Sequence, residues 1–402
     1  MKKDIKYLKC VKCGRKYKTD EVEYVCPKCG NDGVLWFEYD YKDTYLQDEK
    51  EFIKKWKKIF PFEDLGGLNF RDLFPTPIYR NKNLSEYLKI QDLYFKDDTR
   101  NPSGSFKDRA SIFVLKHAIE LGYRHISLAS TGNAASSMAA IGAAFGFSVY
   151  IFVPKTIPKP KLAQLIIYGA NIIMVDGNYD LAYDLSIEVS REFNWYIRNT
   201  GFNPYTVEGK KTVSLEIIDE IGVPDFVFIP TGDGCILGGV YKGFYDANKM
   251  GLIDKMPRLV AVQSEGSSSI VKAFADGKRF PYKINANTLA DSISVNYPRN
   301  GIMALNGLYD TNGVGIVVSD VEILEAQRIL GNLAGIFTEP ASSAAFAGLI
   351  KAKKEKIVKE NDKVVVLLTG NGLKDISVIK VEKMRLFKQS SEIIDYIGKK
   401  EK

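Results

Sequence analysis

From Leu93 onward the chain alternates short apolar runs, without polar residues in between, with amphipathic stretches, and this pattern limits the fold more than any other feature. The runs His125–Ala129, Ser148–Val153, Asn171–Val175, Asp225–Ile229, Arg258–Gln263 and Val364–Leu368 read as strands. Helical spacing covers Ser105–Leu121, Ala134–Phe145, Lys159–Tyr168, Tyr179–Phe193, Lys210–Ile221, Val321–Leu333 and Ala341–Lys353. A strand that is apolar on both faces has to be covered on both faces, so strands separated by helices imply parallel sheets in an α/β body. The 402 residues are enough for two or three domains. No repeat of solenoid period and no low-complexity segment interrupts the pattern, and the residues after Lys383 read as a polar extension.

Charge excludes more than it identifies. The formal net charge is +7, but residues 1–18 hold eight Lys/Arg against Asp4, and the rest of the chain is neutral in sum. A polyanion partner is therefore not expected. No apolar run approaches the ~20 residues that span a bilayer, and the lysine-rich start is not followed by an apolar signal core, so a cytoplasmic protein without a membrane partner is expected.

Four of the five cysteines form Cys10-x2-Cys13 and Cys26-x2-Cys29, twelve residues apart. Each pair can turn two thiolates toward one point, which suits a tetrahedral Zn²⁺ with no open position. The expectation is a structural zinc ribbon over residues 1–37, with redox cysteines or a metal-poor ribbon as alternatives, and disulfides disfavoured in the cytoplasm. A linker rich in Tyr, Lys and Asp follows at 38–60.

The two histidines, His117 and His125, have no partner at metal or triad spacing and read as structural, which removes most hydrolase chemistry. Four other segments can carry chemistry. Asn101-Pro-Ser-Gly-Ser-Phe-Lys-Asp-Arg109 enters a helix with Lys107 in the first turn, where positive potential favours the neutral amine and imine formation, although the segment alone reads first as a solvated lysine in a cap. Ser130-Thr131-Gly132-Asn133 joins a strand to a helix and can hold a carboxylate through backbone N–H groups. Thr231-Gly232-Asp233-Gly234-Cys235-Ile236 is a glycine-rich turn that can aim several amides at a phosphate. The last strand ends in Thr369-Gly370-Asn371-Gly372-Leu373-Lys374.

These segments, in this order, resemble the pyridoxal-phosphate enzymes of fold type II, most closely the threonine synthase family, from the cysteine segment to about residue 380. The resemblance implies two parallel-sheet α/β domains, 38–118 with 222–402 and 119–221, plus the small ribbon, and a homodimer. It implies that Lys107 joins the cofactor's aldehyde, that Asn133 faces the ring's phenolate oxygen, and that Gly232, Asp233, Gly234, Cys235 and Ile236 take the phosphate. Thr369 falls opposite the pyridine nitrogen, while Ser130, Thr131 and Gly132 lie on the substrate side. Glu339-Pro340-Ala341-Ser342 matches a further family segment and reads as helix cap and wall. A hydroxyl opposite the ring nitrogen suits eliminations and replacements in which a leaving group removes the developing charge, with Lys107 as the base.

Three positions depart from the family. Ala134 stands where Thr is usual, Thr206 where Asn-Pro-Tyr is followed by Arg, and Gly232-Asp233-Gly234-Cys235 where Gly-Asn-x-Gly-Asn is usual. Each of the last two changes is expected to cost on the order of 1–3 kcal/mol in binding a phosphorylated substrate. Lys210 or Lys211 can compensate in charge, not in fork geometry. Cys235 reads as a small loop residue. The expected reaction is O-phosphohomoserine and water to threonine and phosphate. The alternatives are a paralogue acting on a β-substituted amino acid (cysteate synthase-like, cysteine synthase-like or an ammonia-lyase) and, in another class, a ribbon binding protein with an inactive body.

Overall fold

The computed structural model describes residues 4–41, 49–66, 68, 73–155, 157, 159–379 and 385–400. Residues 1–3 of the expected ribbon, 42–48 of the expected linker and 384, 401 and 402 of the expected tail lie outside them. The chain opens with three strands, β1 (Ile5–Cys10), β2 (Lys16–Tyr17) and β3 (Leu35–Tyr39), then β4 (Ile78–Arg80) and β5 (Asp92–Asp97). Next come β6 (His125–Ala129), β7 (Ser148–Pro154), β8 (Asn171–Val175) and β9 (Tyr196–Ile197), and after them β10 (Phe226–Pro230), β11 (Arg258–Ser264), β12 (Val314–Val318) and β13 (Lys363–Leu368).

Three sheets result: β2-β1-β3, the four-stranded β8-β7-β6-β9, and the six-stranded β12-β11-β10-β13-β5-β4. The four-stranded sheet is parallel throughout, and the six-stranded sheet is parallel except for its edge strand β4. Every residue of β10 is buried, with Phe228 opposite Val260 of β11 and Val366 of β13, as a central strand with two covered faces requires. The expected strands and helices all recur with end shifts of a few residues. The one larger difference is at Lys210–Ile221, where helical backbone begins at Tyr205 and the ladder breaks at Lys211 to give Tyr205–Lys210 and Thr212–Ile221.

Among the described residues of the expected linker, several belong to a core. Trp56, Ile59 and Phe60 are at most 1% exposed and cluster with Phe37 of the ribbon and Phe113 of the Lys107–Glu120 helix. Its aromatic and aliphatic residues find partners on both sides, so this stretch binds the ribbon to the body. The tail is not wholly irregular either, since Ser390–Lys400 is helical. No helix among the described residues is long and apolar enough to cross a membrane.

Candidate active site

Two close helix crossings bring the candidate residues together. A Cβ on Gly209 would lie 2.0 Å from Arg109 O, so the Tyr205–Lys210 helix crosses the Lys107–Glu120 helix backbone to backbone. On its other side Gly239, in the helix Cys235–Lys249, lets Lys210 pass, since a Cβ there would lie 2.5 Å from that of Lys210. Beneath the crossing, Arg109 is fully buried and donates to Asp98 (2.8 Å), to both Glu216 oxygens and to Thr212 and Thr76. Burial alone would raise the Glu216 carboxyl, but Arg109 and Lys96 hold it down to about 2. This ion cluster has no room for a substrate and serves as a rigid mount for the Lys107 helix.

Hydrogen bonds staple the Lys107 turn to the end of β13. Phe106 N donates to Thr369 O (2.9 Å), and Asn371 N donates to Gly104 O (3.0 Å). Thr369 N donates to Ser342 Oγ (2.8 Å), and Glu339 N donates to Gly370 O (3.0 Å), so the start of the Pro340–Lys354 helix joins the same cluster. Glu339 then reaches across Gly370, where a Cβ would lie 2.2 Å from Oε1, and accepts from Asn133 Nδ2 at 2.7 Å. Burial raises the Glu339 carboxyl above the usual range.

The resulting cavity, of about 500 Å³, is lined by Lys107, Ser130–Ala134, Thr231–Gly234, Ile236, Glu339 and Thr369 on one side. Thr200, Tyr179, Asp180, Ser292–Tyr297 and Arg299 line the other. Lys107 is half-buried and makes no hydrogen bond or ion pair among the described residues. Burial, and next the Lys210 ammonium, lower its pKa to about 8. Gly234 adopts φ +87° as it starts the Cys235 helix, and a Cβ on Gly232 would lie 2.9 Å from Ile293 Cα, so glycine is required for both shape and space. Asp233 Oδ1 accepts from Cys235 N at 3.0 Å.

The substrate-side lysines separate. Lys211 lies away from the cavity, a correction to its expected role: its ammonium donates to Ile59 O, Glu208 and Asp246 (2.8 Å) in a buried cluster under Tyr39. Lys210 is fully buried below the glycine turn with its Nζ 2.5 Å from Cys235 Sγ. Thr206, one helical turn earlier, meets the same sulfur at 3.8 Å, so Lys210 brings a cation to the point that position 206 faces. Thr206 is itself fully buried and outside the cavity lining.

Arg198, Arg299 and Thr200 were not anticipated. Arg198 is fully buried, donates to Thr200 Oγ1 (2.7 Å), and leaves Nε without a partner. Burial lowers it to about 10, against the pull of Cys235 and Asp233. Arg299 sits over the Tyr183 ring, 4.7 Å from its centroid, and 3.6 Å from Asp180. A signal was available in the sequence: residues 276–300 carry neither periodicity, and a loop of that length in a compact body is commonly functional. His117 is a packing residue, stacked on Tyr205 at 3.8 Å and lowered to about 4 by burial.

Pyridoxal phosphate fits this residue set. An amine unpartnered among the described residues faces a cavity whose floor is a helix start built from glycines, and Lys210 and Arg198 lie below it with no carboxylate partner among those residues. The four cysteines also converge, with sulfurs within 4.8 Å of one another and 3.8 Å between Cys13 and Cys26. Burial would raise the Cys26 thiol, but the Tyr17 hydroxyl at 3.0 Å and backbone amides hold it down to about 6. Four thiolates at this spacing suit a closed tetrahedral metal site.

A family described as "Pyridoxal-phosphate dependent enzyme" matches residues 70–370. The threonine synthase of Methanocaldococcus jannaschii is 37% identical over 379 residues, covering 91% of this chain and 92% of its own. That of Methanosarcina acetivorans is 36% identical over 384 residues, covering 92% of each. Among solved structures, maize serine racemase superposes with a TM-score of 0.65 at 20% identity over 81% of this chain and 92% of its own. A threonine deaminase from Solanum lycopersicum gives 0.64 at 21% over 74% and 83%, and at these identities both speak for the fold alone. Since the family match spans the cavity from the Lys107 turn to Thr369, and the relatives match over 91% and 92% of this chain, the chain is an enzyme of the threonine synthase family of pyridoxal-phosphate-dependent, fold type II proteins.

Proposed function

We propose that this enzyme converts O-phosphohomoserine and water to threonine and inorganic phosphate. The observation that carries this reading is the Lys107 amine, half-buried in the cavity, without a partner among the described residues and drawn down to about 8, in one cavity with the Ser130–Asn133 and Thr231–Gly234 turns. Relatives of that activity match over nine tenths of the chain.

When bound, pyridoxal phosphate supplies an aldehyde that captures an amine and a ring that withdraws electrons from the bonds beside it. The chain's residues do the rest. The amides of Gly232, Asp233, Gly234 and Ile236 would hold the cofactor phosphate, that of Cys235 being given to Asp233, with Lys210 reinforcing them from beneath. Asn133, fixed by Glu339, would face the ring, and Thr369 would present its hydroxyl to the ring nitrogen, leaving it less acidified than an aspartate would. The N–H groups of Ser130–Asn133 would take the substrate carboxylate. Lys107, once free, would accept a proton from substrate carbon and return it, which a group near pKa 8 does efficiently at neutral pH. Arg299 at the rim would meet the distal anionic group.

The burial of Thr206 favours one second reading, in which no second phosphate is bound and a β-substituent is eliminated or replaced on a smaller amino acid. Turnover assays with O-phosphohomoserine, O-phosphoserine, serine and threonine separate the two. Threonine and phosphate in equal amounts from O-phosphohomoserine support the first reading, and turnover only of the serine compounds refutes it. We also propose one Zn²⁺ at Cys10, Cys13, Cys26 and Cys29, a cytoplasmic homodimer, and domains at 38–118 with 222–402 and at 119–221, checked by metal analysis, localisation, sedimentation and limited proteolysis.

A further inference from the structure

The ribbon does more than cap the body, because it touches two of the segments that line the cavity opposite Lys107. From one side, Asp32 Oδ1 accepts from the hydroxyl of Tyr297 at 3.4 Å, while its other oxygen is held by Lys12 at 2.8 Å. Asp32 belongs to the second cysteine turn. Gly30 N donates to Cys26 O (3.0 Å), Cys26 N donates to Gly33 O (2.8 Å), and a Cβ on Gly33 would lie 2.6 Å from Cys26 Cβ. From the other side, Tyr24, two residues before Cys26, accepts from Ile197 N at 3.1 Å and stacks on Phe202 with ring centroids 5.0 Å apart.

The two gripped segments press on each other between these contacts. Gly201, beside Phe202, lies so close to Arg299 that a Cβ would sit 2.3 Å from that of the arginine. Tyr24, the 197–202 segment, Arg299, Tyr297 and Asp32 thus form a closed ring of contacts, and Thr200 and Arg299 point from it into the cavity. The cofactor-side residues Lys107, Asn133, Gly232–Ile236 and Thr369 have no hydrogen bond to the ribbon among those described.

We infer that the four-cysteine ribbon is the outer clamp of the substrate side, with Asp32 and Tyr24 as positioning residues for Arg299 and Thr200, so that filling its thiolate site tightens amino-acid binding and leaves cofactor binding alone. The inference rests on the reading that the cavity takes an amino acid. Strand β3 separates the two effects. All five of its residues are buried, and Tyr39 and Trp36 lie against Lys211 and Lys242, so β3 remains docked when the cysteine turns loosen. Metal removal then loosens residues 20–33 and their two contacts.

The test uses the full-length holoenzyme before and after chelation and after reloading with Zn²⁺, with Asp32→Ala and Tyr297→Phe singly and together. Pyridoxal phosphate affinity is read from the cofactor's own absorbance. Amino-acid affinity is read from the change in that absorbance on titrating O-phosphohomoserine, L-threonine and L-serine, alongside KM and kcat for any that turns over. The expected result is a roughly 3- to 10-fold weaker amino-acid affinity on chelation or in Asp32→Ala, reversed by zinc in the former case, with unchanged cofactor affinity. Asp32→Ala and Tyr297→Phe should be non-additive. Unchanged amino-acid affinity overturns the clamp, as does a parallel loss of cofactor affinity. If O-phosphohomoserine is inert but another amino acid binds, the proposed reaction fails and the clamp is judged on that ligand. If none of the three perturbs the spectrum, both fall.

Discussion

The two sides of the cavity are built differently. Cofactor-side residues stand at the ends of regular elements: Lys107 and Asn133 in first helical turns, Gly232–Cys235 between β10 and a helix, and Thr369 directly after β13. The Lys107 turn and the end of β13 are tied to each other by backbone hydrogen bonds, Asn133 is held by its side chain on Glu339, and the glycine turn packs against Ile293 and Asn300. The side opposite Lys107 comes in good part from loops, Ser292–Arg299 and Thr200, that lean on each other and on the ribbon, beside Tyr179 and Asp180 at a helix start. The family departures lie at or beneath the cavity floor, and the unanticipated arginines lie toward the loop side. A fixed cofactor demands fixed geometry, whereas substrate choice can change by exchanging side chains on loops.

The largest expected effect falls on the cofactor side. Gly234→Ala forces a Cβ onto a residue at φ +87° and to 2.8 Å from Asn300 O. A strain on the order of 1–3 kcal/mol predicts an approximately 10- to 100-fold loss of pyridoxal phosphate affinity, measured by titrating the apoprotein. Arg299→Met should do the reverse, raising KM for the amino acid on the order of tenfold while cofactor affinity stays put. If Arg299→Met strips cofactor instead, the two-sided description is wrong.

A smaller effect sharpens the boundary between the sides. Because burial and Lys210 lower Lys107 to about 8, its neutral, nucleophilic form grows as pH rises through 8 and saturates above it. The rate at which apoprotein captures pyridoxal phosphate should follow that curve. In Lys210→Met the midpoint should move upward, because a repelling cation is gone, yet stay below that of an exposed lysine, because burial remains. The smallest effect concerns Thr206→Arg. Position 206 faces the Cys235 sulfur that Lys210 already occupies, so the added arginine should help phosphorylated substrates only when Lys210 is also replaced, for example by Gln. An equal gain with Lys210 intact would show that position 206 reaches the cavity directly.

How much of this was legible in the sequence follows the same division. Unalternating apolar strands and helix-start motifs mark the sheets and the cofactor-side candidates because both obey local rules of periodicity and turn chemistry. Arg198 gave no such signal, since its importance lies in being buried without a carboxylate, which depends on what folds around it. Lys210 and Lys211 are adjacent in sequence and were equivalent on paper. Their separation arises because successive residues on helical backbone point about 100° apart, which sends one ammonium to Cys235 and the other to Glu208 and Asp246. The stretch 38–60 looked like a spacer because its charges mask the few aromatic residues that bury themselves between ribbon and body.

The most direct test of the central assignment is to reduce the holoenzyme with borohydride, digest it and find the lysine that carries the pyridoxyl group by mass spectrometry. Lys107 is the predicted site, among the described residues the one lysine whose amine is half-buried, without a partner and at the cavity wall. Modification of Lys210 instead, or of Lys374, whose amine donates to Ser103 O at 2.7 Å close by, would contradict the account.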